Sequence, residues 1–221
     1  MIAKVFHNIK LTTEKNGEIY YKIIELLSYM TIYNKPLIIL GPSGVGKDTM
    51  INKLKEKYPE KFYKLPSFTT RPKRDGETDG IDYFFVTKEK FLEMKNEGKL
   101  FGIQEYNNNF YASNKHVLRE KTKGDKIIIL NYNIETANSI KDQFKFNFIA
   151  IMPPSEAELR KRLIKRGTEK EEIEKRMQNS IREINLIQEA YYIKFRVVND
   201  KEDKCLNDLE NHLKKLYPQL L

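Results

Sequence analysis

Cys205 is the only cysteine in a chain of 221 residues. No intramolecular disulfide and no cysteine-ligated metal cluster can be built from it. Long apolar runs are also missing. The longest, Pro36 to Leu40 and Ile127 to Leu130, are strand-sized and far short of the ~20 residues of a membrane span. The first residues, Met1-Ile2-Ala3-Lys4-Val5-Phe6-His7, lack the charged start, apolar stretch and cleavage site of a signal peptide. Internal repeats, low-complexity linkers and blocks of five or six basic residues are absent as well. Together these absences lead to the expectation of a cytoplasmic protein with no membrane partner.

What is present is a globular composition, 40% hydrophobic and 32% charged, in a chain long enough for one domain with insertions or an extension. Lys and Arg number 40 against 31 Asp and Glu, a surplus of +9. The basic residues are dispersed, and the aromatic positions form no nucleic-acid motif. The surplus therefore suits polyanionic small molecules rather than nucleic acid.

From Lys35 onward strands and helices alternate. Strand 36–40 leads into a helix that Pro59 ends, and strand-like pieces follow near 63–69, 82–86, 100–106 and 109–111. Lys88 to Glu97 reads as a helix stopped by Gly98. Ile127 to Leu130 reads as a buried parallel strand. A helix at 133–142, strand 145–151, helix 156–166 after Pro153-Pro154-Ser155, a long helix from Lys170 to Tyr191, strand 194–198 and helix 201–216 complete the chain. Such alternation predicts an α/β fold, a parallel sheet with helices on both faces and a ligand site at the carboxyl ends of the strands. Residues 1–34 precede it. In them, Ile19, Ile23, Leu26, Leu27 and Met30 keep a helical period, expected to pack on the body or on a second copy in a homo-oligomer.

The densest chemistry is Gly41-Pro42-Ser43-Gly44-Val45-Gly46-Lys47-Asp48-Thr49, between the first strand and its helix. A glycine-rich turn here aims backbone N–H groups and a helix N-terminus at one point, where phosphate oxygens fit. Lys47 adds a charge for the outer phosphates. This is a nucleoside triphosphate site, with ATP and Mg2+ expected, and with Gly41, Ser43, Gly44, Val45, Gly46, Lys47, Asp48 and Thr49 as its residues. The Ser or Thr that usually follows the lysine to hold magnesium is here Asp48, a candidate metal ligand in its place.

A second cluster runs from Ser67-Phe68-Thr69-Thr70-Arg71-Pro72-Lys73-Arg74 through Gly76-Glu77 to Gly80-Ile81-Asp82-Tyr83. Two arginines with hydroxyls from Ser67 and Tyr83 can surround a phosphate. Beside a P-loop, that is the place for a phosphoryl acceptor.

These stretches resemble guanylate kinases. So do Asn109-Phe110-Tyr111, Pro153-Pro154-Ser155, Arg166-Gly167-Thr168 and Val197-Val198-Asn199-Asp200, over about residues 35–217. The resemblance implies a P-loop kinase core, a small α+β acceptor-binding domain inserted at about 66–115, and a helical lid at about 155–178. It further implies that Ser67, Arg71, Arg74, Tyr83 and Tyr111 hold the acceptor's phosphate. Lys47, Arg162, Arg166 and Arg176 would serve the transferring group, and Asn199 would lie near the adenine of ATP.

The base end of the acceptor site departs from that family. Where guanylate kinases place a glutamate, this chain has Gly102. Their Leu-Asp-x-Asp is here Leu130-Asn131-Tyr132-Asn133. Gln104, Ser113, Asn131 and Asn133 are the remaining candidates for the base. Gln104 is expected on the same strand face as Gly102, and Glu105 would serve if the loop shifts. An amide suits guanine's two donors less well than a carboxylate. The leading expectation is a kinase for GMP or dGMP with altered or relaxed base preference. Asp48 and Asn131 also resemble the ribose 1,5-bisphosphate kinases of phosphonate breakdown. A non-catalytic, protein-binding module of the same fold is the third reading, opposed by the intact P-loop lysine.

Overall fold

In the computed structural model, residues 35–106, 108–165 and 169–218 are described. The helix expected between 18 and 30 lies outside them. Five strands form a fully parallel sheet in the order β2-β7-β1-β8-β9: β1 Leu37–Leu40, β2 Phe62–Lys64, β7 Ile127–Tyr132, β8 Asn147–Met152 and β9 Phe195–Val198. A second sheet, ordered β4-β3-β6-β5, is built from β3 Ser67–Thr69, β4 Tyr83–Phe85, β5 Leu100–Tyr106 and β6 Asn109–Asn114. The helices are α1 Lys47–Lys57, α2 Lys88–Asn96, α3 Lys115–Lys121, α4 Ile134–Ile140, α5 Glu156–Lys165, α6 Lys170–Glu189 and α7 Glu202–Leu216.

The three central strands, β7, β1 and β8, are rich in apolar residues because both faces are covered, while the edge strands β2 and β9 carry Lys64 and Arg196. Alternate residues divide between two cores. Ile38, Leu40, Ile128, Leu130, Tyr132, Phe148 and Ala150 face α4 and the end of α6. Leu37, Ile39, Ile127, Ile129, Ile149 and Ile151 face α1 and α7, where Cys205 is buried among Leu209 and Leu213. Each such side chain contributes about 1.5–3 kcal/mol by leaving water.

Three features differ from the sequence expectation. The stretch 63–69 divides between the two sheets, with β2 in the core and β3 in the second sheet. A further short helix, α3, follows β6. Its signal was Asn114, whose Oδ1 accepts from the backbone N–H groups of His116 and Val117 at 2.8 and 3.2 Å. The long helix ends at Glu189, so Tyr191 falls off its apolar stripe and lies in solvent, 85% exposed. Helices α5 and α6 share a small core of their own: Leu159, Leu163, Ile173 and Met177. Among the described residues no helix is long and apolar enough to cross a membrane.

Candidate active site

The P-loop spans β1 and α1, and two of its glycines are fixed by close approach. At Gly41 (φ +149°) a Cβ would stand 2.2 Å from the carbonyl oxygen of Ile151 on the neighbouring strand. At Gly46 (φ +100°) it would stand 2.5 Å from Asn199 Nδ2. That amide explains the crowding: Asn199 Nδ2 donates to Val45 O at 2.8 Å, and Arg162 donates to Asn199 O at 2.9 Å. Asn199, expected near the adenine of ATP, is 4% exposed and braces the loop from behind. Helix α1 starts at Gly46 with no side-chain cap, and the N-terminus of a helix is where an anion binds. Lys47 Nζ curls over the loop and donates to the carbonyls of Gly41 and Pro42 at 2.6 and 3.1 Å.

Asp48 Oδ1 accepts from Lys64 Nζ and from Asn131 Nδ2, each at 3.1 Å. Asn131, a candidate for the base, is thus bonded to the first turn of α1, next to the P-loop lysine. Burial works against the charge on Asp48, but Lys64, Lys47 and the Asn131 amide outweigh it and hold the carboxyl below its usual pKa. Asp48 is ionised at neutral pH: its carboxylate is crowded by protein on one side but keeps most of its surface open to solvent on the other, which favours the charged form.

The second sheet carries the arginine-and-hydroxyl cluster. Arg71 forms a two-pronged pair with Glu77, at 3.0 and 2.7 Å, and its guanidinium lies 5.3 Å from the ring centre of Tyr83. Glu77 also accepts from the Arg74 backbone N–H, at 2.8 Å. These contacts hold its carboxyl down at about 2. The Tyr83 and Tyr111 rings meet edge to face, 6.0 Å apart. Burial first, then the charge of Asp48, push the Tyr83 hydroxyl above its usual pKa. Arg74 is exposed at the rim, and Ser67 opens β3 opposite Tyr83.

At the base end the chain has closed on itself. Gly102 (φ +61°) sits at a bulge between Phe101 and Gln104. A Cβ there would lie 2.7 Å from the hydroxyl of Tyr132. The Tyr132 ring, 2% exposed, fills that space and donates to Ser113 Oγ at 2.6 Å. Ser113 is thereby buried. The bulge also breaks the alternation expected to align Gln104 with Gly102. Gln104 Oε1 instead accepts from Thr136 Oγ1 at 3.3 Å. Asn133 Oδ1 caps α4 by accepting from Thr136 N at 2.9 Å.

Arg176 is paired with Glu172 on α6, 2.9 Å from Arg176 Nε to Glu172 Oε1, and Arg162 with Glu158 on α5 at 3.2 Å. Arg166 lies outside the described residues. Arg176 and Ser43 line one cavity of about 250 Å³, together with Glu105, Asn133, Ser180 and Glu183. Glu183 and Ser180 escaped the sequence reading. Their signal was spacing: they stand four and seven residues after Arg176, on one helix face.

A family model described as guanylate kinase matches residues 33–216. The chain belongs to the guanylate kinase family. It is 38% identical over 181 residues to guanylate kinase 1 of Oryza sativa subsp. japonica, covering 81% of this chain but about half of that longer protein (47%). With the guanylate kinase of Oceanobacillus iheyensis it shares 35% identity over 179 residues, covering 80% of this chain and 85% of the relative. Among solved structures, the guanylate kinase of Anaplasma phagocytophilum superposes with a TM-score of 0.63 at 26% identity, covering 83% and 86% of the two chains.

Proposed function

We propose that the chain transfers the terminal phosphoryl group of ATP to a nucleoside monophosphate, GMP or dGMP first, in the cytoplasm. The observation that carries this reading is the link between two anion sites: Asp48, next to the P-loop lysine, accepts from Lys64 at the end of β2 at 3.1 Å, and, three residues on, Ser67 pairs with Tyr83 in the arginine-and-hydroxyl cluster. Two anion sites joined in this way are what phosphoryl transfer needs, because its catalysis is positioning and charge stabilisation.

Each group has a task. The α1 amides and Lys47 take the phosphates of ATP, and Lys47 gives up its bonds to Gly41 and Pro42 to do so. Arg71, held flat by Glu77, takes the acceptor's phosphate with Tyr83, Tyr111, Ser67 and Arg74. Residues 66–115 form the acceptor-binding part and 155–178 the lid. Arg162, Arg166 and Arg176 stabilise the charge in transit, and the closed lid keeps water out. Asp48 fits a hard cation: its carboxylate is ionised and open to solvent, an oxygen ligand of the kind Mg2+ takes. Bound there, the ion would neutralise charge on the phosphates of ATP.

A second reading, a kinase for a sugar phosphate such as ribose 1,5-bisphosphate, is favoured by one observation: the Tyr132 ring fills the space a side chain at position 102 would need, the position where the resemblance to guanylate kinases implies a base-binding glutamate. The test is to offer ATP and Mg2+ with a panel of nucleoside monophosphates and ribose 1,5-bisphosphate, and to follow ADP. Preference for GMP supports the first reading. Turnover of the sugar phosphate alone replaces it with the second.

A further inference from the structure

Asp48 puts a negative charge where a P-loop usually has none. The residue after the loop lysine is commonly Ser or Thr, whose hydroxyl is neutral. Here a carboxylate stands in the first turn of α1, at the helix end where phosphates are received. Like charges at that point repel, and the repulsion works against ATP. The fold sets a cation against it from elsewhere in the chain. Strands β2, β7 and β1 lie side by side in the parallel sheet. Each sends one residue to the same corner of its carboxyl end. Lys64 closes β2, Asn131 stands one residue before the end of β7, and Asp48 lies in the helix that follows β1.

The contacts are one-sided. Lys64 Nζ and Asn131 Nδ2 both donate to Asp48 Oδ1, each at 3.1 Å. Among the described residues no hydrogen bond falls on Oδ2. One carboxylate oxygen is therefore tied to two neighbouring strands, and the other is left for a cation. The Lys64 side chain is 23% exposed and that of Asp48 66% exposed. The lysine is the anchored partner and the carboxylate the open one.

The roles assigned above make no use of Lys64. Resting on the reading of this loop as a site for ATP and Mg2+, we propose that Lys64 is a positioning residue for the donor nucleotide. Its charge cancels that of Asp48, so the loop accepts phosphate. Its hydrogen bond holds Oδ1, so Oδ2 is the oxygen presented to the cation that comes with ATP. The same ammonium repels a divalent ion that comes without nucleotide, whose charge no phosphate offsets. The loop thus takes nucleotide, or nucleotide and metal together, ahead of metal alone.

The test measures two affinities on the full chain. One is for ATP in excess chelator, by calorimetry. The other is for Mn2+ without nucleotide, by paramagnetic resonance, as a stand-in for Mg2+. Lys64→Met and Lys64→Gln both remove the charge, one keeping an apolar stem and the other a polar end. Water around Asp48 screens the effects and keeps them moderate. In both variants the Kd for metal-free ATP is expected to rise about 5- to 20-fold and the Kd for Mn2+ to fall about 3- to 10-fold. Lys64→Arg keeps the charge and stays within about threefold of wild type on both counts. In an Asp48→Ser background the effect of Lys64→Met on Mn2+ disappears, because the ligand it acts through is gone. Opposite movements of the two affinities are what a merely structural ion pair would not give. Both affinities unchanged in the neutral variants overturn the proposal, as does a weakening of both together, the mark of general damage to the fold. Wild type that binds no ATP is a separate outcome: it overturns the P-loop reading, and the proposal with it.

Discussion

Gly102→Ala puts one methyl group where the structure has no room for it. The position has φ +61°, and the new Cβ would lie 2.7 Å from Tyr132 Oη and 2.8 Å from Tyr132 Cζ. The left-handed backbone costs roughly 1–2 kcal/mol for a residue with a side chain. Displacing a packed ring adds about 1–3 kcal/mol, and the hydrogen bond from Tyr132 to Ser113 is disturbed with it. The total is about 2–5 kcal/mol. With a urea slope of about 2–3 kcal/mol/M, the unfolding midpoint falls by about 1–2 M. Tyr132→Phe removes the nearer of the two colliding atoms, so the cost of Gly102→Ala in that background is smaller. The coupling in the double-mutant cycle measures the contact. Gly102→Ala within about 0.5 kcal/mol of wild type would refute the claim that Tyr132 closes the β5 side of the base site.

Three further outcomes are expected. Glu77 is held at about 2 against an ordinary 4.5, so its stabilising contribution is complete above 4.5 and lost as pH falls towards 2; the melting-temperature deficit of Glu77→Gln, measured at pH 7, should shrink over that window. Glu183 is shifted the other way, to about 7, so the native state holds the extra proton and stability falls as pH rises from 4.5 to 7. Glu183→Gln should be the more stable protein at pH 8, by about 1–3 kcal/mol, and equal to wild type near pH 4, as read from urea midpoints. Asn199→Ala removes the donor to the buried Val45 carbonyl and should cost about 1–3 kcal/mol in stability while raising the KM for ATP, a pairing that a merely peripheral residue would not show.

The parts of this molecule that obey local rules were legible in the sequence. Leu37 to Leu40 followed by a glycine turn and lysine announces strand, anion site and helix in one stretch. Ser155 ahead of α5, whose Oγ accepts from Glu158 N at 3.1 Å, announces a helix start. The base end was not legible, because its features depend on contacts between distant segments. Nothing near Tyr132 in the sequence says that its ring will fill the space over Gly102. The bulge in β5 undoes the alternation that placed Gln104. That Asn131 would bond Asp48, 83 residues away, was likewise not visible in the sequence. Glu183 carried a usable signal, two turns beyond Arg176, but its meaning came only with the cavity it faces.

The most direct measurement is transfer of the labelled terminal phosphoryl group of ATP to GMP, with Mg2+ present, by wild type and by Lys47→Ala at equal concentrations. Labelled GDP from wild type, reduced by about a thousandfold or more in the variant, is the expected result. No labelled GDP from wild type, or equal amounts from both proteins, would contradict a P-loop kinase for this nucleotide.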